Sequence, residues 1–148
     1  MKIDIRDRIA GAIYGVALGD AMGMPAYFFP DQTREKFGWI EDFLDAPSDH
    51  PVHKGFVAGQ ITDDTEQTLA IAQAIIDEGK VTLEGIAKAL LNWYESVGGD
   101  DSSYVGPSTK AAMKRIKAGE DLMITGITGT TNGAVMRISP IELIHPGD

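Results

Sequence analysis

The sequence contains no cysteine. Disulfides, thiolate nucleophiles and zinc–thiolate centres are therefore excluded from its chemistry. It lacks an apolar run long enough to cross a membrane. The opening stretch Met1–Arg8 alternates charged and apolar residues, without the apolar centre of a signal peptide. A soluble, cytoplasmic protein with no membrane partner is the expectation. Basic residues are scarce, with 13 Lys and Arg against 22 Asp and Glu, for a net charge of −9. Such a surface argues against nucleic-acid backbone binding as the main task. It is compatible with cation binding, and equally with nothing beyond solubility. The three histidines, His50, His53 and His145, do not have metal-ligand spacing. His50 and His53 lie among prolines and read as surface residues.

What is present is ordinary in amount and informative in order. A chain of 148 residues fits one domain, here 1–148, with one apolar core. The spacing of Ile5, Ile9, Ile13, Val16 and Ala17 predicts a helix over Asp4–Ala21, with Asp4 as its cap. Gly11, Gly15 and Gly19 share one face of it. Each glycine costs a helix about 1 kcal/mol relative to alanine, so close approach of another backbone is the simplest expectation. Asp20 falls at the helix C-terminus, the wrong end of the dipole for a negative charge. From Gly23 to Gly59, prolines and scattered aromatics predict a long irregular connection with short helical turns.

A second helix is expected over Asp64–Asp77, apolar on nearly every face and therefore central. A third begins at Thr82 and ends at Gly98-Gly99. A fourth runs from Pro107 or Ser108 to Ala118, with Lys110, Lys114 and Lys117 along its outer side. Asn132-Gly133 could turn a hairpin, but its flanks do not alternate, and that reading is rejected. The fold class is all-α.

The stretch Thr62-Asp63-Asp64-Thr65-Glu66 sets two adjacent carboxylates and hydroxyls at the entry to the central helix. Such oxygens are hard ligands suited to magnesium, manganese or calcium. Against this stands plain helix capping, since Asp63 and Glu66 form a box-like pair and acids suit a helix N-terminus. On pattern alone capping is the commoner outcome. A helix apolar all round, however, starts inside the protein, and buried carboxylates need partners. The segment Gly126–Gly133 could offer backbone N–H groups to an anion. It is neither a P-loop nor a dinucleotide fingerprint. Arg137 could meet a phosphate or form a salt bridge.

Taken together these stretches resemble the ADP-ribosylglycohydrolase family. The resemblance is carried by Gly11–Pro25, by Ala58–Leu69, by Thr131–Pro140 and, more weakly, by Gly106–Ala112, in this order along the chain. It implies an all-α multi-helix orthogonal bundle and a metal-dependent hydrolase holding two Mg2+ or Mn2+ ions. Thr62, Asp63 and Asp64 would be metal ligands, with Asp63 and Asp64 also catalytic. Asp20, Asn132 and Gly133 would face substrate, and Asp101 would be a further catalytic acid. The substrate would be an ADP-ribosylated protein or a small ADP-ribose conjugate.

Two departures qualify what the resemblance implies. Tyr27 stands where family members commonly carry Glu, and a Tyr supplies no carboxylate. The family's second acidic run, of the Asp-x-Asp-Thr kind, is absent, so the chain reads as truncated. Exposed apolar helix faces are then expected, with a second chain or a C-terminal half completing the site. The competing readings are a non-catalytic ADP-ribose- or metal-binding module and a purely structural helical domain.

Overall fold

In the computed structural model, residues 4–145 are described; the first residues of the Met1–Arg8 stretch and the last of the tail lie outside them. Helix α1 spans Ile5–Gly23, and the Asp4 carboxylate caps it by accepting the Arg6 N–H, as expected. Helix α2, Pro30–Phe37, has its proline in the first turn, where no N–H is missed. It is a full helix inside what the sequence suggested was an irregular connection. Helix α3 spans Asp63–Glu78 and stops at Gly79, whose φ of 66° is the left-handed C-cap that glycine adopts freely. Helix α4, Leu83–Ser96, starts at Thr82, whose hydroxyl accepts the Gly85 N–H. Helix α5 is Pro107–Lys117 and helix α6 the single turn Leu122–Thr125. A 3₁₀ segment, Asn132–Arg137, leads into helix α7, Ser139–Ile144. No strand occurs among the described residues, and Asn132-Gly133 opens a helical turn rather than a hairpin.

The core forms where α3 and α4 meet. Ile71, Leu90, Trp93, Tyr94, Val105 and Met113 are buried against one another. Helices α1 and α7 and the 3₁₀ segment pack on the remaining sides of α3. That covering is partial: Leu69 is 44% and Ile76 72% exposed. Both border an apolar cavity of about 540 Å³ between α1, α3 and α7, lined by Ile9, Ile13, Ile75 and Leu143 among others. The central helix is thus apolar all round, as its sequence suggested, but not enclosed among the described residues.

The glycine face of α1 departs from expectation in a similar way. A Cβ built at Gly11, Gly15 or Gly19 would meet nothing within 4 Å among the described residues. The close backbone approach expected there is not made by this part of the fold.

The proline-rich connection is better ordered than its composition implied. His50 is buried, at 4% exposure, and His53 is half-buried, so the surface placement expected for them is overturned. The reason is backbone hydrogen bonding in a loop with few regular partners. His50 Nδ1 accepts the N–H groups of Val52 and His53 at 3.2 and 2.8 Å, so its Nε2 carries the hydrogen that meets Ala26 O at 2.9 Å. His53 Nδ1 meets Met24 O at 2.7 Å, and burial holds this imidazole below its ordinary pKa. The two rings stack between Tyr27 and Phe56. No described helix is long and apolar enough to cross a membrane.

Candidate metal and substrate site

The entry to α3 is built from two helices. Thr62 is its N-cap by backbone geometry, yet the Thr62 side chain makes no capping bond. The cap comes from Asp20, 42 residues earlier, in the last turn of α1. Asp20 Oδ2 accepts the backbone N–H of Thr62 at 2.7 Å and of Thr65 at 3.2 Å. The hydroxyls of Thr62 and Thr65 donate to Oδ1 and Oδ2, each at 2.6 Å. Three of these bonds converge on Oδ2 and one falls on Oδ1. They also resolve why an acid stands at the wrong end of α1: its partner is the positive end of another helix.

Asp63 and Asp64 are the first two residues inside α3, past the cap position that Thr62 holds, and the capping falls to Asp20. Asp63 Oδ2 accepts only from the Gln67 side-chain amide at 3.2 Å, inside its own helix. Both aspartates are half-buried. Burial, with the charges of Asp64 and Asp20 close by, pushes the Asp63 carboxyl up to about 7. Asp64 is raised too, by burial first and Asp20 second. Crowded carboxylates losing solvent favour the protonated form unless a cation joins them.

One turn on, Glu66 Oε2 accepts the Trp93 indole N–H at 2.9 Å and the Tyr104 hydroxyl at 3.0 Å. These bonds tie the acidic entry to α4 and to the loop before α5. The Tyr104 hydroxyl is held well above its usual pKa by burial and by Glu66.

Arg137 borders a small cavity of about 150 Å³. Ser108 and Thr109 from the start of α5, Gly126, Gly129 and Thr131 from the glycine-rich loop, and Gly133 and Arg137 from the 3₁₀ segment line it. Arg137 donates to the Gln67 side-chain oxygen, and Gln67 in turn donates to Asp63. The guanidinium therefore joins the cavity to the acidic helix entry. Thr130 N donates to Ser108 Oγ at 3.4 Å, tying the glycine-rich loop to the start of α5.

Of the residues singled out from sequence, Asp20, Thr62, Asp63 and Asp64 come together. Gly133 borders the adjoining cavity, while Asn132 beside it is exposed. Asp101 is not brought to this group. It sits in the exposed turn after α4, in a shallow depression with Tyr94, Asp100 and Lys117. Tyr27 lies at the edge of the proline-rich loop, its hydroxyl donating to Asp49 at 2.7 Å. Glu66 was visible in the acidic stretch, but its bonds to Trp93 and Tyr104 and the part played by Gln67 were not foreseen. Their pairings link positions 4 to 70 residues apart, and no local pattern announces the distant ones.

No grouping of three His, Cys, Asp or Glu side chains suited to a metal ion occurs among the described residues. The donors that are present are all oxygen: one hydroxyl and two carboxylates under mutual repulsion. That set fits a hard divalent cation and leaves part of a coordination shell to be supplied from elsewhere.

An all-helical chain with an uncapped carboxylate pair beside a basic, glycine-lined cavity is the class that fold and site define. The chain belongs to the ADP-ribosylglycohydrolase family, whose family model matches residues 1–148. It is 37% identical over 142 residues to the uncharacterized protein YegU of Escherichia coli (strain K12), covering 95% of this chain and 42% of that one. It is 31% identical over 145 residues to ADP-ribosylarginine hydrolase Tri1 of Pseudomonas putida (strain GB-1), covering 94% of this chain and 36% of that protein. With ADP-ribosyl-[dinitrogen reductase] glycohydrolase of Rhodospirillum rubrum the identity is 27% over 157 residues, covering 97% and 48%. The chain spans less than half the length of these relatives.

Proposed function

We propose that the entry to α3 is one wall of a two-cation hydrolase centre, and that the protein cleaves the bond joining ADP-ribose to a protein side chain or a related small acceptor. One observation carries the reading: Asp63 and Asp64 are half-buried and crowded, and the capping of their helix is done by Asp20 rather than by them. Thr62, Asp63 and Asp64 would hold Mg2+ or Mn2+, with the remaining oxygens coming from a C-terminal half or a second chain. Bound there, the cations supply Lewis acidity toward the ribose hydroxyls and the attacking water.

The chain's own residues provide the rest of the positioning. Arg137 offers its unused guanidinium N–H groups to a diphosphate in the adjoining cavity, and Gly133 lets backbone approach it. The N-terminus of α5 adds N–H groups pointing toward the same space. Gln67 couples the two halves, because the amide that holds Asp63 also receives Arg137. The names of the Pseudomonas and Rhodospirillum relatives support an arginine-linked or other protein-linked ADP-ribose as substrate.

A second reading, a module that binds ADP-ribose or metal without cleaving, is favoured by Tyr27. It stands where the resemblance calls for a Glu, and its hydroxyl is engaged with Asp49. Two measurements separate the alternatives. Titration with Mn2+ should raise the melting temperature and should lose that effect in Asp63→Ala and Asp64→Ala. No shift in the parent protein would remove the metal reading altogether. Release of free ADP-ribose from ADP-ribosyl-arginine then distinguishes hydrolysis from binding, since a module would retain the ligand unchanged.

A further inference from the structure

The contact between Asp20 and Thr62 does more than hold two helices together. A carboxylate has no hydrogen to give, so the 2.6 Å bond from Thr62 Oγ1 to Asp20 Oδ1 fixes the hydroxyl hydrogen toward α1. The oxygen's remaining lone pairs then face away from Asp20. Thr62 itself is buried, at 3% exposure, so its hydroxyl has little freedom to choose another partner. The same carboxylate accepts the Thr62 and Thr65 N–H groups and the Thr65 hydroxyl, which locks the first turn of α3 in rotation.

We infer that Asp20 is a positioning residue: from α1 it orients the Thr62 hydroxyl as a pure acceptor and sets the first turn of α3 for cation binding, rather than touching substrate. This rests on the proposed cation site at Thr62, Asp63 and Asp64. It replaces the substrate contact that the resemblance implied for Asp20. Groups that orient metal ligands typically change metal affinity about 10- to 100-fold when altered.

The decisive variant is Asp20→Asn, which keeps shape and is as good a helix cap as Asp. The two backbone N–H groups now held by Oδ2 demand the amide oxygen at that position. The amide nitrogen must then face Thr62 Oγ1, which becomes the acceptor and turns its own hydrogen outward. Mn2+ affinity, measured calorimetrically on the substrate-free protein, should fall roughly 10- to 100-fold while the melting temperature barely moves. Part of any loss comes from deleting a charge, which salt screens little at a half-buried site. In a Thr62→Val background that part persists, whereas the orientation effect vanishes with the hydroxyl. Thr65→Val removes a contact to Asp20 but leaves the Thr62 hydroxyl bond; it should lower the melting temperature and keep Mn2+ affinity close to that of the parent.

Wild-type Mn2+ affinity in Asp20→Asn, or an undiminished loss in the Thr62→Val background, would overturn the assignment. Affinity falling in step with melting temperature across both variants would also overturn it, reducing Asp20 to a brace. If the parent protein binds no Mn2+, the cation site itself fails, an outcome distinct from the others.

Discussion

Two pairs of adjacent aspartates occur in this chain, Asp63-Asp64 and Asp100-Asp101, and the fold treats them differently. Asp63 and Asp64 begin a helix, are half-buried, and stand beside Asp20, with no cationic side chain bonded to them among the described residues. Asp100 and Asp101 sit in an exposed turn, where Asp100 accepts the Tyr94 hydroxyl at 2.9 Å and lies 3.8 Å from Lys114 Nζ. Asp100 of the second pair has a donor and a cation within reach, and both aspartates are open to solvent. The first is left as a concentration of negative charge that the described residues do not balance. The dipeptide is the same; what differs is burial, and whether the neighbours are donors or further carboxylates.

The sharpest way to break this contrast is through turnover. Asp64→Ala should reduce release of ADP-ribose by on the order of 10²–10³-fold, the usual consequence of losing a transition-state charge stabiliser. Asp101→Ala should leave it within about twofold, as expected for a surface change away from the site. Comparable losses from both substitutions would mean that the two pairs act together, against the geometry. Next in size is Glu66, the carboxylate that belongs to neither pair. Glu66→Ala leaves the Trp93 and Tyr104 donors without their shared acceptor. Denaturant unfolding should show a loss of about 2–3 kcal/mol, the cost of two poorly hydrated donors.

The pH dependence of stability tests the electrostatic half of the comparison. The Asp63 carboxyl is raised from 3.8 to about 7, so the folded protein retains a proton that the unfolded chain has already lost. Metal-free stability from this group is therefore fully present below pH 3.8 and is lost as pH rises through about 7. Asp64 adds to the same trend. His53 works in the opposite sense: held below 6.5, it gains stability as pH rises toward that value. The informative quantity is thus the difference between the parent and Asp63→Asn, which cancels His53. Between pH 5 and 8 that difference should change by on the order of 2 kcal/mol, after allowing for partial solvent screening. Saturating Mn2+ should remove it, because the bound cation favours the charged form throughout. A flat difference without metal would show that the pair is better solvated than its burial indicates.

What was legible in the sequence follows the same division between local and distant interactions. Helices α1, α3, α4 and α5 could be read because periodic apolar residues and their caps, Asp4, Thr82 and Pro107 among them, act within a few residues of each other. Helix α2 escaped because its only local signal, Pro30 in the first turn, is flanked by exposed Phe28 and Phe29 that carry no helical spacing. The carboxylate pair at 63 and 64 was visible as a motif. Whether it merely capped its helix was not, since the residue that decides the matter lies on another helix. The misplacement of Asp20 against its own helix dipole was the one local trace of that contact. His50 and His53 were misread because polar residues in a proline-rich loop are usually solvated; here their ring nitrogens serve backbone groups that no regular element satisfies.

The smallest effects should come from the exposed pair, and they show why adjacency alone confers no chemistry. Asp100→Ala removes the partner of the Tyr94 hydroxyl, whose ring is otherwise packed in the core. Tyr94 is 1% exposed, so its hydroxyl is left without its acceptor and the loss should be about 1–2 kcal/mol, below that of Glu66→Ala. The pK of Tyr94, pushed up to about 12 by burial and then by Asp100, should fall in the same variant, because a donor bond and a nearby negative charge disappear together. Lys114→Ala should cost less still, under about 0.5 kcal/mol, since the 3.8 Å pair joins two side chains more than half exposed. Neither substitution should change Mn2+ affinity by more than about twofold, because screened charges beyond a Debye length contribute little. A larger change in cation binding from Asp100→Ala would place the turn after α4 within the field of the helix entry, and the separation drawn between the two aspartate pairs would then be lost.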